Sequence, residues 1–297
     1  MKGKVIMAST FAAEIKNVCK QRKDFKIDNV SFTLPSGTVT GFVGENGAGK
    51  TTVINLILDV IKRDSGEILI FGTDNITHRT EIHEDIGVVF DVIGFPETLK
   101  IPQLDKIMSG IYKNWSSEEF RSRCKEFGLP DNKKFSEYSR GMTMKLSIAA
   151  AISHKAKLLI LDEPTGGLDP AARSEILDII REFVCDDEHT VLFSSHITSD
   201  LERIADRVVF IKNGRIILEE DTITLAETRA IAKFGEDMLS VIAPDEIIGL
   251  RRTPFGCEAL VSDKEAFSKK YPDIMLCNAS IEDIIVFSGK KKGDAAK

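Results

Sequence analysis

The chain has 297 residues, 42% of them hydrophobic and 29% charged, with 40 basic against 46 acidic side chains and a formal charge of -6. This length and mixture suit a soluble globular protein with one large core, or one core plus a small appendage. The acidic balance gives no nucleic-acid footprint, the five scattered cysteines (Cys19, Cys124, Cys185, Cys257, Cys277) form neither a disulfide framework nor a zinc pattern, and no run approaches the roughly 20 apolar residues of a membrane span.

From the N-terminus, Glu14 and Lys16 interrupt a short apolar patch that is too weak for a secretory signal, so a reducing cytoplasm is expected. Short β-rich runs then alternate with helical patterns, which predicts an α/β layer structure. Strands are expected at "AEIKNV", "IDNVSFTL", "TVTGFV", "EILIFG", "IGVVFD", "KLLILD", "TVLFSS" and "RVVFIK", with "NG" at 213–214 turning the chain into "RIILEE" as a hairpin.

Between "VVFD" and "KLLILD" the pattern becomes helical in "PQLDKIMSGIYKNW", "SSEEFRSRCKEFG" and "GMTMKLSIAAAISH", an insertion over about 92–155. Residues 221–297 mix a helical reading of "LAETRAIAKFG" with strand-like "MLSVIA" and "EALVSD", suggesting a small α+β accessory domain behind a main domain of 1–220. The Lys290 to Lys292 run reads as a solvated tail.

"GFVGENGAGKTT" (41–52) carries the chemistry: Gly44, Glu45, Asn46, Gly47, Ala48, Gly49, Lys50, Thr51 and Thr52 form a G-x-x-x-x-G-K-[ST] loop. It follows an apolar run and opens a segment whose Val53, Leu56, Ile57 and Val60 repeat at helical spacing, so it belongs at a strand-to-helix turn. Glycines let backbone N–H groups converge on phosphate, and the helix N-terminus adds its positive end. Lys50 would reach the β- and γ-phosphates and Thr51 would hold Mg²⁺. "KLLILDEP" supplies the companion acids: Asp162 for the metal and Glu163, one residue on, to polarise an attacking water.

Three more motifs narrow the family. "YSRGM" (138–142) precedes the carboxylates by about twenty residues and opens a helix, "GGLDP" (166–170) follows them, and "VLFSSH" ends in His196. With these, residues from about 14 to 220 resemble the ATP-binding subunits of ABC transporters, and the single-domain, export-type branch in particular. The resemblance implies an ABC-type P-loop ATPase core with an inserted helical subdomain. It also implies a switch role for His196, and a second phosphate clamp at Ser139 and Gly141 that faces ATP bound to another copy.

A homodimer closing on MgATP, separate transmembrane permease subunits, and a place on the inner face of the cell membrane follow by the same implication, with no nucleic acid expected. Two positions depart from the family pattern: Arg140 stands at the first signature glycine, and Asp91 at the Q-loop glutamine, where its carboxylate could still approach Mg²⁺ or its water. The adenine-stacking place falls at Arg22 in "KQRKDFK", with nearby Phe25 as the alternative stacking group. Tyr112 and Trp115 are expected to pack the helical insertion or to line the groove where a permease docks. The contrasting readings are an ABC-type ATPase acting on ribosomes or nucleic acid, disfavoured by the single ATPase unit, and a regulatory subunit that hydrolyses ATP poorly.

Overall fold

The computed structural model describes residues 10–92, 94–185 and 188–289. Strands β1 (Phe11–Gln21) and β2 (Lys26–Pro35) pair antiparallel and lead into β3 (Val39–Val43), whose five residues are all buried. Helix α1 (Lys50–Ile57) follows the glycine-rich loop; β4 (Ser65–Ile70), β5 (Thr73–Asp74), α2 (Arg79–Glu84) and β6 (Ile86–Val89) come next. The helical insertion is α3 (Ile101–Ile111), α4 (Ser117–Glu126) and α5 (Arg140–Ile152). The chain returns through β7 (Leu158–Asp162), α6 (Pro170–Phe183), β8 (Thr190–Ser195), α7 (Thr198–Ile204), β9 (Arg207–Lys212) and β10 (Arg215–Asp221).

The central sheet has the order β10-β9-β3-β8-β7-β6, parallel except for β10. Successive side chains on a strand face opposite ways, so the buried strands feed two cores. Leu158, Ile160, Leu192, Val209 and Ile211 join α1 and the β2-β1-β4-β5 sheet on one face. Leu159, Leu161, Val191, Phe193, Val208 and Phe210 join α5, α6 and α7 on the other. A separate cluster built on Leu104, Phe120, Phe135 and Leu146 holds the helical insertion together. The "NG" hairpin has the expected two-residue turn, with Asn213 at φ 49° and Gly214 at φ 73°.

Three local expectations are corrected. Helix α1 stops at Ile57 and Asp59 takes φ 53°, so Val60 leaves the helical face and is 59% exposed. The "LAETRAIAKFG" segment is helical only through α8 (Thr222–Thr228); "AIAKF" is the strand β11 (Ala230–Phe234). "MLSVIA" is no strand but begins in a 3-10 turn over Glu236–Ser240. The structure then adds β12 (Ile247–Thr253), β13 (Gly256–Val261), α9 (Lys264–Lys270), β14 (Met275–Asn278) and α10 (Ile281–Ser288).

These C-terminal strands form an antiparallel sheet, β12-β13-β11-β14, with its own buried cluster. The unit is nevertheless continuous with the rest of the molecule. Leu260, Ile281, Ile284 and Phe287 share a core with Leu201 and Ile204 of α7, and Ile281 N–H donates to Glu202 at 2.7 Å. The Lys290 to Lys292 run lies outside the described residues.

Candidate functional site

The loop between β3 and α1 is shaped by glycine where a side chain has no room. A Cβ on Gly44 would sit 2.5 Å from the carbonyl oxygen of Ile211 on β9, and one on Gly49 would sit 2.9 Å from Phe25 Cζ. Gly47 and Gly49 take φ values of 82° and 116°, a region that suits glycine. Gly49 caps α1 with no side-chain hydrogen bond. The first-turn N–H groups of a helix have no partner within it, so those of Lys50, Thr51 and Thr52 are left for an anion.

A cleft of about 380 Å³ opens over this loop, lined by Arg22, Phe25, Glu45, Asn46, Gly47, Gly49, Lys50, Thr51, Thr52 and Glu163. Arg22 and Phe25 stand there together, linked by Arg22 N–H donating to the Phe25 carbonyl at 2.8 Å. Arg22 is exposed, and Phe25 is half-buried against Gly49.

Strand β7 delivers two acids to the floor. Asp162 is buried, and its carboxylate accepts from Thr51 Oγ1 at 2.8 Å and from Ser194 Oγ at 2.9 Å. Ser194 is the β8 residue opposite Asp162 in the parallel register. Sequence reading missed it although it stands two residues before His196. Glu163 follows with φ 54°, an uncommon backbone for a non-glycine residue, held by its N–H donating to the Ser194 carbonyl at 3.0 Å.

That turn aims the Glu163 carboxylate back over the loop. Oε1 lies 3.1 Å from the ammonium of Lys50, which is 6% exposed and also donates to the Gly44 carbonyl at 2.6 Å. Oε2 meets His196 Nδ1 at 2.7 Å. Lys50, Thr51, Asp162, Glu163 and His196 are therefore one connected group, drawn from α1, β7 and the end of β8.

The other residues singled out lie elsewhere. Ser139 caps α5, its hydroxyl accepting from the Met142 N–H at 3.2 Å. Gly141 is buried where α5 meets α6, a Cβ there coming within 3.0 Å of Ala172 Cβ. Neither lines the cleft. Asp91 is also apart from it, its carboxylate engaged by the Arg140 guanidinium. Among the described residues no cluster of three or more His, Cys, Asp or Glu side chains could hold a metal. Thr51 and Asp162 fit Mg²⁺, which takes few protein ligands and completes its shell with phosphate and water.

In the helical unit, Trp115 Nε1 donates to Asp105 Oδ1 at 2.9 Å, and its ring packs on Phe120 with centroids 5.0 Å apart. Tyr112 stacks on buried His154 at 3.9 Å and lines a second, apolar groove with Val88, Phe90, Val92, Met108 and Ala151. The groove takes Tyr112 but not Trp115. Burial pushes the Cys124 thiol up to about 12, which suits a packing side chain rather than a reactive one.

A family model described as ABC transporter matches residues 27–166. An uncharacterized ABC transporter ATP-binding protein of Bacillus subtilis, YhcH, is 36% identical over 217 residues, covering 69% of this chain and 68% of that one. The bacitracin transport ATP-binding protein BcrA of Enterococcus faecalis is 32% identical over 217 residues, covering 72% and 70%. A solved structure of the ATP-binding subunit of an ABC transporter superposes with a TM-score of 0.64 at 25% identity, covering 72% of this chain and 91% of that one.

Proposed function

This chain belongs to the ATP-binding proteins of ABC transporters, and on that premise we propose that it drives export of drug- or peptide-type substrates through separately encoded permease subunits. Members of the family are ATPases whose ATP-binding subunits dimerise and work with transmembrane partners. The export reading is supported by the likeness to a bacitracin transport protein. Among the described residues no helix is long and apolar enough to cross a membrane. Attachment to the inner membrane face would then run through the permease, with the apolar groove at Tyr112 as its seat.

The observation that carries the catalytic reading is the contact of Lys50 and His196 with opposite oxygens of Glu163. The loop from Gly44 to Thr52 binds the phosphates of ATP, with Arg22 or Phe25 against the base. Thr51 and Asp162 would hold Mg²⁺, which when bound would neutralise charge on the phosphates. Lys50 gives up its carbonyl and carboxylate partners to the phosphates. Glu163, thereby freed, takes the proton of the attacking water, and His196 orients it through Nδ1.

Ser139 and Gly141 lie outside the cleft of their own chain, which agrees with their closing over the nucleotide of a second copy. In this reading residues 1–220 carry the nucleotide chemistry. Residues 221–297 are an accessory unit anchored through α10.

The test is to purify the protein from membranes in mild detergent and identify what accompanies it, and to measure the mass of Glu163→Gln with MgATP. A polytopic membrane protein and an ATP-dependent dimer are expected. Ribosomal or DNA-bound partners would favour the alternative, and a monomer saturated with ATP would sink the composite site.

A further inference from the structure

Two positions that depart from the pattern of the family, Asp91 and Arg140, are each other's partners. Asp91 follows the end of β6, Arg140 is the first residue of α5, and the guanidinium Nη2 meets the Asp91 carboxylate. The same guanidinium covers the loop after Glu163. A Cβ on Gly167, which takes φ 67°, would lie 3.1 Å from Arg140 Nη1 and 3.2 Å from its Cζ. The loop can pass beneath the guanidinium because glycine leaves that space open.

The position of Asp91 along the chain matters as much as its partner. Phe90 and Val92, on either side of it, line the apolar groove and are 37% and 79% exposed. Arg140 in turn follows Ser139, the α5 cap, and touches the loop that begins at Glu163, where Gly166 N–H donates to the Glu163 carbonyl at 3.1 Å.

We infer that Asp91 and Arg140 are a pair of positioning residues that tie the apolar groove to two elements at once, the start of α5 and the loop after Glu163. The inference deepens the proposed function and rests on it for the identity of the groove's occupant. With the pair closed, one guanidinium sets the α5 N-terminus, and so Ser139, against the Gly166–Gly167 loop. An occupant pressing on Phe90 and Val92 shifts the Asp91 carboxylate and with it both elements. Each side chain of the pair is 49% exposed, so its contribution to stability is small. Its consequence is geometric.

The experiment compares Asp91→Asn, Arg140→Gln and the charge-swapped double variant Asp91→Arg with Arg140→Asp. Amide hydrogen exchange without nucleotide reads the pair directly. Each single variant should raise exchange in both 138–144 and 164–168, and the swap should restore both. ATP hydrolysis by the same proteins should show kcat lowered in the single variants with KM for ATP little changed, by up to the roughly 100-fold that a 1 Å misplacement can cost, and recovered in the swap.

Exchange that rises in only one segment, or a swap that rescues neither readout, overturns the pairing. The latter is the result expected if the Asp91 carboxylate serves Mg²⁺ instead. Absence of hydrolysis by the unaltered chain would count against the proposed function alone, because the exchange measurement does not depend on turnover.

Discussion

The ammonium of Lys50 lies 3.1 Å from Oε1 of Glu163, so the loop cation and the acid that follows β7 hold each other. In the proposed function, a phosphate at Lys50 competes with that carboxylate for the ammonium. Lys50→Ala is expected to weaken ATP binding by about 1.5–3 kcal/mol, the worth of a hydrogen bond to a charged group, and nearer the lower figure because of that competition. Titration calorimetry checks it, and unchanged affinity would remove Lys50 from the phosphate site.

Glu163→Gln keeps the shape of the side chain and loses the basic oxygen. Turnover should fall by roughly 10² or more, the contribution of a positioned general base, while ATP still binds. A steady-state assay showing an ordinary rate would assign proton removal to another group.

Ser194 holds the second oxygen of Asp162 at 2.9 Å, so in the proposed function it orients a ligand of Mg²⁺. Ser194→Ala should raise the Mg²⁺ concentration needed for half-maximal hydrolysis by about 10-fold, as the loss of groups that orient metal ligands commonly does. Because Asp162 Oδ1 loses a buried donor, stability should also fall, by about 1–3 kcal/mol. A Mg²⁺ dependence identical to that of the parent would leave Ser194 as packing only.

Asp105 ties the helical insertion together, accepting from Trp115 Nε1 at 2.9 Å and Arg121 Nε at 2.8 Å. Burial works against its charge, but hydrogen bonds from Ser117, Trp115 and Arg121 outweigh it and hold the carboxyl below the usual range. Because the folded value is the lower one, the stabilisation is present above the unfolded value of about 3.9 and is lost as pH falls below it. Asp105→Asn should cost about 1–3 kcal/mol at neutral pH. In urea titrations the gap between parent and variant should close as pH falls below about 4, and a gap that persists there would refute the electrostatic account.

What could be read in the sequence was what neighbouring residues decide together. The loop from Gly44 to Thr52 shows itself because phosphate binding needs glycines and a helix start in one contiguous stretch. The parallel strands show themselves because burial on both faces makes a strand a short apolar run, as in "KLLILD". Asp162 and Glu163 are marked by ending such a run. The amino-acid order alone thus determined an ATP-binding α/β protein and its chemical groups.

Tertiary structure decided which groups meet. Arg140 and Asp91 are 49 residues apart, and no local pattern encodes their contact. The C-terminal unit shows the same division. "AIAKF" follows a helix and contains alanine and lysine, good helix formers, yet it lies between β13 and β14 with Ala230 and Ala232 fully buried. Pairing with strands on both sides satisfies its backbone and overrides a weak local preference. That choice depends on distant partners, so only the folded chain could make it.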